Sequence, residues 1–220
     1  MASSSSPEPY ARRLAHRRQT IDQALDEAVL IMEEAGVGGL SVSEVARRLG
    51  MRQPSLYKYF SSLHALYDAL FARGLARSDA AMRAATEGQP PGVARLRTSA
   101  TALVRWAVEN PALAQLLFWR PVPGFAPTEA TFAASVAQMA EVRDEFAAAV
   151  RLGELRPDAA DLAALRLYTV VVSGLISQQL ANEPAVGYET GQFTSLTETA
   201  LDMYFACYSP TGGSDADPRP

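Results

Sequence analysis

The chain has 220 residues, 48% of them hydrophobic and 20% charged, with a formal net charge of −4, so it can hold one large domain or a small one joined to a larger one. Its single cysteine, Cys207, excludes an intrachain disulfide and a cysteine-based metal site, which fits a reducing cytoplasm; Cys207 is expected as a small buried core residue. No apolar run is long enough to cross a membrane, and none near the start has the form of a signal peptide.

In chain order, MASSSSPEP is a polar leader expected to be disordered. Residues 1–18 are expected as a flexible basic arm, because Arg12, Arg13, Arg17 and Arg18 ahead of a helix would oppose its macrodipole. Such an arm suits DNA phosphates or a minor groove, the alternative being a solvated extension. From Thr20, residues Ile21, Ala24, Leu25, Ala28, Val29, Met32 and Ala35 recur at helical spacing, and Gly36 ends this first helix. The GVGG at 36–39 lacks the Lys-Ser/Thr of a phosphate loop and is a turn.

The stretch LSVSEVARRLGMRQPSLYKYF, residues 40–60, carries the strongest functional signal. Ser41 with Glu44 forms a capping box, each side chain meeting a free backbone N–H. Val42, Val45, Ala46 and Leu49 face inward, Ser43, Glu44, Arg47 and Arg48 outward, and Gly50 ends the helix. Pro54 fits only the first turn of the next helix, on which Leu56 and Phe60 point in and Pro54, Ser55, Tyr57 and Lys58 point out. Two short helices around a Gly-containing turn, the second exposing hydrogen-bonding side chains near its N-terminus, suit a helix placed in the major groove. A helical hairpin with a solvated face has the same spacing.

Ser62 caps a fourth helix that packs through Leu66, Tyr67, Leu70 and Phe71 and runs toward Thr86, joining a DNA-binding domain at 19–74 to a larger domain at 75–209. After the EGQPPG breaker, Val93, Leu96, Ala100, Leu103, Val104 and Ala107 mark a fifth helix ended by Asn110-Pro111, and a sixth runs from Ala112 to about Phe118. A proline-rich aromatic loop at 119–128 leads to a seventh helix that starts at Thr128 and stops at Gly153. The eighth spans about 157–182 and the ninth about 192–208, followed by a tail, 210–220, expected to be disordered. With no period-two alternation and no repeat, the fold is expected to be all-α, with about nine helices. Helix eight is apolar around most of its circumference, and helix nine carries Phe193, Leu196, Ala200, Leu201, Tyr204, Phe205 and Tyr208. The two could pair with their copies in a homodimer, the alternative being a monomeric core.

The segment from Gln19 to Gly74 resembles the tetracycline-repressor (TetR) family of bacterial transcription regulators. The resemblance rests on "EEAG" ending the first helix, "GL-S" entering the second, "VARRLGM" through the turn and "QPSLYKYF" as recognition helix. It covers about a quarter of the chain; the remainder is similar only in length and helical character. It implies that Gln53 reads an adenine edge, Ser55 a base or phosphate and Pro54 a thymine methyl. Tyr57 and Lys58 would bind phosphates, with Ser41 and Arg52 assisting. The family usually has Lys entering the fourth helix, where this chain has Leu63 followed by His64, so a phosphate contact is shifted onto His64 or lost. The charge balance agrees with this division: residues 1–77 carry ten Arg or Lys against eight Asp or Glu, and residues 78–220 carry ten against sixteen.

Catalytic constellations are not evident. His16 and His64 are the only histidines, and neither has a Ser or Cys with a carboxylate at nucleophile-base spacing. No enzyme, cofactor or metal is expected, although a helical acid-base enzyme and a helical interaction module stand as alternatives. A repressor released from a palindromic operator by a small effector is the leading reading. Candidate walls of an effector site are Trp106, Phe118, Trp119, Phe125, Phe132, Met139 and Tyr168, with Arg105, Arg120, Gln138, Arg166 or Gln178 as polar anchors. The larger domain has no His, so a metal-chelated inducer would lack its usual imidazole ligand, and an organic, largely apolar effector is expected.

Overall fold

The computed structural model describes residues 9–210; the expected disordered leader, up to residue 8, and tail, from residue 211, lie outside the described residues. The described residues form nine α-helices and three short 3-10 turns, with no strand among them. The first helix, α1 (Pro9–Ala35), starts well before Thr20. Ala, Arg, Leu and Gln are good helix formers, and Thr20 lies within the helix with its hydroxyl bonded back to the His16 carbonyl at 3.0 Å. The expected flexible arm at 1–18 is therefore helical from Pro9 on. Its polar residues hid it because they carry no apolar stripe. Further along α1, Ala24, Leu25, Ala28, Ile31 and Met32 are buried, while Ala35 is exposed.

A 3-10 turn (Val37–Gly39) leads to α2 (Val42–Arg48) and the very short α3 (Gln53–Leu56). Helix α4 (Leu63–Ala85) begins at the Ser62 cap, whose hydroxyl accepts from Ala65 N at 3.0 Å. The buried Tyr67 of α4 donates to the Val37 carbonyl at 2.6 Å, tying α4 to the end of α1. Helix α4 crosses position 74 unbroken, and there Gly74 lies so close to Leu117 that an added Cβ would stand 3.2 Å from its side chain. One apolar cluster accordingly runs from Ala24 to Phe205 through both halves.

The larger half adds α5 (Val93–Glu109), α6 (Pro111–Phe118), α7 (Glu129–Arg151), α8 (Leu162–Asn182) and α9 (Thr197–Cys207). The last two are shorter than expected. Residues 157–160 and 194–196 form 3-10 turns, with Asp161 in extended conformation between the first turn and α8. Gln179 of α8 is fully buried. Its Oε1 accepts from Phe193 N and Thr194 N, and its Nε2 donates to the Glu183 and Val186 carbonyls, so one side chain gathers the α8–α9 connection. Cys207 is exposed at the end of α9 instead of buried, because Leu201, Tyr204 and Phe205 occupy the inward face. No described helix is long and apolar enough to cross a membrane.

Candidate nucleic-acid interface and regulatory cavity

Helix α2 is anchored at both ends by local chemistry. Ser41 Oγ accepts from Glu44 N at 3.2 Å, but Glu44 does not reach back to complete the capping box. Its carboxylate is held by Arg47 (2.8 and 2.7 Å) and by Arg48 Nε (3.0 Å). Those guanidiniums, Arg47 first and Arg48 next, draw the Glu44 carboxyl from its ordinary 4.5 down to about 2. Arg48, expected on the outward face, is half-buried and also clasps Glu34 of α1 at 3.0 Å. That pair lowers the Glu34 pKa and raises that of Arg48. At the other end Gly50 N bonds to Arg47 O at 3.1 Å and Met51 N to Ala46 O at 2.8 Å, with Gly50 at φ 64. This is a Schellman stop, which requires a residue that tolerates positive φ.

Met51 and Arg52 then turn the chain into α3, where Pro54 stands in the first turn. Leu56 and Phe60 are buried in the apolar core, while Arg52, Gln53, Pro54, Tyr57 and Lys58 are exposed and Ser41 and Ser55 are half-buried. Gln53 Nε2 donates to Tyr57 Oη at 3.3 Å. Past Leu56 the helix tightens into i→i−3 bonds, Lys58 N to Ser55 O and Tyr59 N to Leu56 O, so α3 is a single turn and shorter than the expected 53–60. His64 is exposed in the first turn of α4 with its ring edge-on to Phe125 at 6.0 Å, while Leu63 packs against the core. Arg17, read from the sequence as part of a basic arm, has a structural partner that the sequence did not reveal. From α1 it donates to the Lys58 carbonyl at 3.3 Å and stacks over Tyr59 at 5.1 Å, bracing the segment after α3. No sequence periodicity joins positions so far apart.

The seven candidate walls of an effector site do not share a cavity. Phe125 is buried against Tyr67 (5.5 Å) where the two halves meet, and Phe118 and Trp119 form an exposed edge-to-face pair. Phe132 and Met139 are exposed in an open groove with Leu162, and Trp106 lines a separate surface depression with Arg97 and Thr101. They were grouped by residue type, which carries no information on which helix face each occupies. Trp106 shares its depression with the anchor Arg105, and Tyr168 and the anchor Gln138 line a third space, a partly open cavity of about 80 Å³ between α4, α5, α7 and α8. Of the other anchors, Arg105 is paired with Glu189 and stacked on Tyr188, and Gln178 accepts from Asn182. Arg120 and Arg166 are exposed.

The cavity walls are more polar than the expected effector site. Arg83 Nε donates to Asp79 at 2.8 Å, and its Nη2 to Glu141 at 2.7 Å. Arg95 approaches Glu145 Oε1 at 3.3 Å. Tyr168 donates to the Leu96 carbonyl at 3.1 Å, and its burial pushes the phenol well above its ordinary pKa, keeping it a neutral donor. Among the described residues, no group of three or more His, Cys, Asp or Glu is placed to hold a metal ion.

An all-helical chain with a capped helix, a Schellman turn and an exposed second helix, joined to a larger helical body, defines a helix-turn-helix regulator. Residues 24–70 match the family described as bacterial regulatory proteins, tetR family, and residues 96–204 match the tetracyclin repressor-like C-terminal domain. The chain belongs to the TetR family of bacterial transcription regulators, a family of regulators and not of enzymes. It is similar to the HTH-type transcriptional regulator Rv1816 of Mycobacterium tuberculosis (strain ATCC 25618 / H37Rv), 32% identical over 124 residues, 55% of this chain and 53% of that one. It is also similar to the class D tetracycline repressor protein of Escherichia coli, 38% identical over 56 residues, 26% of each chain. The first of these matches spans about half the length of the curated relative. Among solved structures, a protein of unknown function from Rhodococcus sp. RHA1 superposes with a TM-score of 0.71 at 24% identity, covering 86% of this chain and 95% of that one. The TetR family regulator PfmR from Thermus thermophilus does so at 0.66 and 22%, covering 84% and 97%. Both likenesses concern the fold.

Proposed function

We propose that the chain is a cytoplasmic repressor that binds a palindromic operator as a homodimer and is released by a small effector. The observation that carries the DNA-binding role is the joint exposure of Gln53, Pro54, Tyr57 and Lys58 on and just after α3, with Leu56 and Phe60 buried beneath them. Gln53 presents an amide suited to bidentate pairing with adenine, Pro54 an apolar face for a thymine methyl, and Ser55 a hydroxyl for a base or phosphate. Tyr57, Lys58, Arg52 and Ser41 supply phosphate contacts, and His64 takes the place of the absent lysine at the start of α4.

Homodimerisation is assigned to α8 and α9. Leu167 and Val170 on α8, Met203 on α9 and Leu196 at the end of the 3-10 turn just before α9 are large apolar residues left exposed. Near Gly174 nothing stands within 4 Å of a built Cβ, which leaves room for a second copy to approach closely. A two-fold axis there would set two α3 helices about 34–36 Å apart, one DNA turn. The effector site is assigned to the cavity between α4, α5, α7 and α8, because α4 continues from it into the helix-turn-helix. An effector that favours one α4 position changes operator affinity only by its differential binding to the two states.

A gel shift with the DNA flanking its own coding sequence tests the proposal. A discrete complex that survives excess random DNA is expected, and equal competition by random DNA would refute it.

A further inference from the structure

Two atoms in the cavity wall are buried without a hydrogen-bond partner, Gln138 Nε2 and Glu145 Oε2. Both belong to α7, two helical turns apart, and both residues line the same cavity. A buried donor and a buried acceptor left unpaired are each unfavourable, so their joint occurrence beside one partly open cavity marks a place where a guest can supply the missing bonds. The charge there is also uneven. Asp79, Glu141 and Glu145 bring three carboxylates, and Arg83 and Arg95 bring two guanidiniums. Arg83 is divided between Asp79 and Glu141, which leaves Glu145 with Arg95 on one oxygen only.

From this we infer that the effector is a small, polar molecule with a cationic amino group for Glu145 Oε2 and a carbonyl or hydroxyl acceptor for Gln138 Nε2. The inference rests on the ligand-responsive reading above and replaces the largely apolar effector that composition suggested. Size points the same way. A cavity of about 80 Å³ holds roughly five to eight water-sized groups, which is a handful of non-hydrogen atoms and below the usual range for drug-sized ligands. Apolar guests of that size would leave both orphan atoms unpaired. A bound cation with an acceptor satisfies both and balances the surplus carboxylate.

Four probes with equal numbers of non-hydrogen atoms separate the chemistries: glycinamide (cationic donor plus acceptor), propionamide (neutral donor plus acceptor), propionate (acceptor only) and cyclopentane (neither). Each is titrated at pH 7 into the full chain, reading the side-chain amide resonance of Gln138 by NMR. Glycinamide should move that resonance and bind about tenfold or more tighter than propionate or cyclopentane, the size expected for a hydrogen bond to a charged group. Glu145→Gln preserves shape and should erase the advantage of glycinamide over propionamide, with the thermal midpoint as a check that the chain stays folded. Cyclopentane or propionate binding as well as glycinamide, or no probe moving the Gln138 resonance, would overturn the inference. A compound that releases DNA while leaving that resonance unmoved would discard this chemistry and keep the ligand-responsive regulator.

Discussion

Asp68 of α4 accepts a hydrogen bond from Thr131 Oγ1 of α7 at 2.8 Å, and the same carboxylate takes Thr128 N at 2.7 Å and Thr128 Oγ1 at 3.1 Å. The helix that leaves the DNA-binding half thereby caps the N-terminus of the helix that forms a wall of the cavity. A carboxylate at a helix N-terminus is favoured both by free N–H groups and by the helix dipole. Asp68→Ala should lower stability by about 1–2 kcal/mol, roughly 2–8 °C in Tm for a chain of this size. It should also weaken the coupling between effector and DNA. Thermal melts, with operator affinity measured with and without effector, check both; an unchanged coupling would leave Asp68 as a cap alone.

On α3, Gln53 and Lys58 are expected to fail differently. Gln53→Ala should reduce the preference for operator over random DNA by about 1–3 kcal/mol. Lys58→Ala should weaken all sequences about equally and reduce the salt slope by roughly one phosphate contact. Anisotropy titrations over a range of salt concentrations separate the two. Equal loss on operator and random DNA from Gln53→Ala would remove its base-reading role.

Acid should loosen α2. Because Arg47 and Arg48 hold the Glu44 carboxyl at about 2 in the folded chain against an ordinary 4.5, the folded state stays ionised where the unfolded chain takes up a proton. The contribution of Glu44 is therefore complete above pH 4.5 and fades as pH falls toward 2. The site is exposed, so the effect is small and screened by salt. Glu44→Gln should flatten the pH dependence of Tm across that window, and an unaltered profile would assign the acid sensitivity elsewhere.

Self-association should depend on the exposed faces of α8 and α9. Val170→Glu or Met203→Glu would bury a carboxylate in the proposed seam and weaken association about a hundredfold, with little effect on monomer stability because both positions are exposed. Light scattering across a concentration series reads the shift. A dimer undisturbed by both substitutions would place the seam on another face.

The helix-turn-helix was legible because its signals are local: a Ser41 cap, a Gly50 stop, Pro54 in a first turn and an apolar stripe at helical spacing. The extension of α1 back to Pro9 was not, since a helix without a buried face leaves no periodicity. Arg17 on the Lys58 carbonyl, Arg48 on Glu34 and Asp68 on Thr128 are long-range pairs fixed by packing of separate helices. Of the effector walls chosen by apolar or aromatic character, Tyr168 lines this cavity and the others lie on other faces, for the same reason. Most of the residues around it are polar in type, set among Met82, Leu96 and Val142, and polar residues in a sequence read as surface. Gln138 was among the anchors read from the sequence, whereas Glu145 stands beside Asp144 near Glu141 like any solvated charge, and only the fold brings the two to one cavity.

Sequence-specific DNA binding by a two-fold symmetric pair of α3 helices can be read out by in vitro selection from random duplex DNA. One palindromic sequence with half-sites one helical turn apart, or about 34–36 Å, should be enriched, and Gln53→Ala should abolish that enrichment. Enrichment of an asymmetric single site, or a palindrome selected equally well by the Gln53→Ala chain, would contradict it.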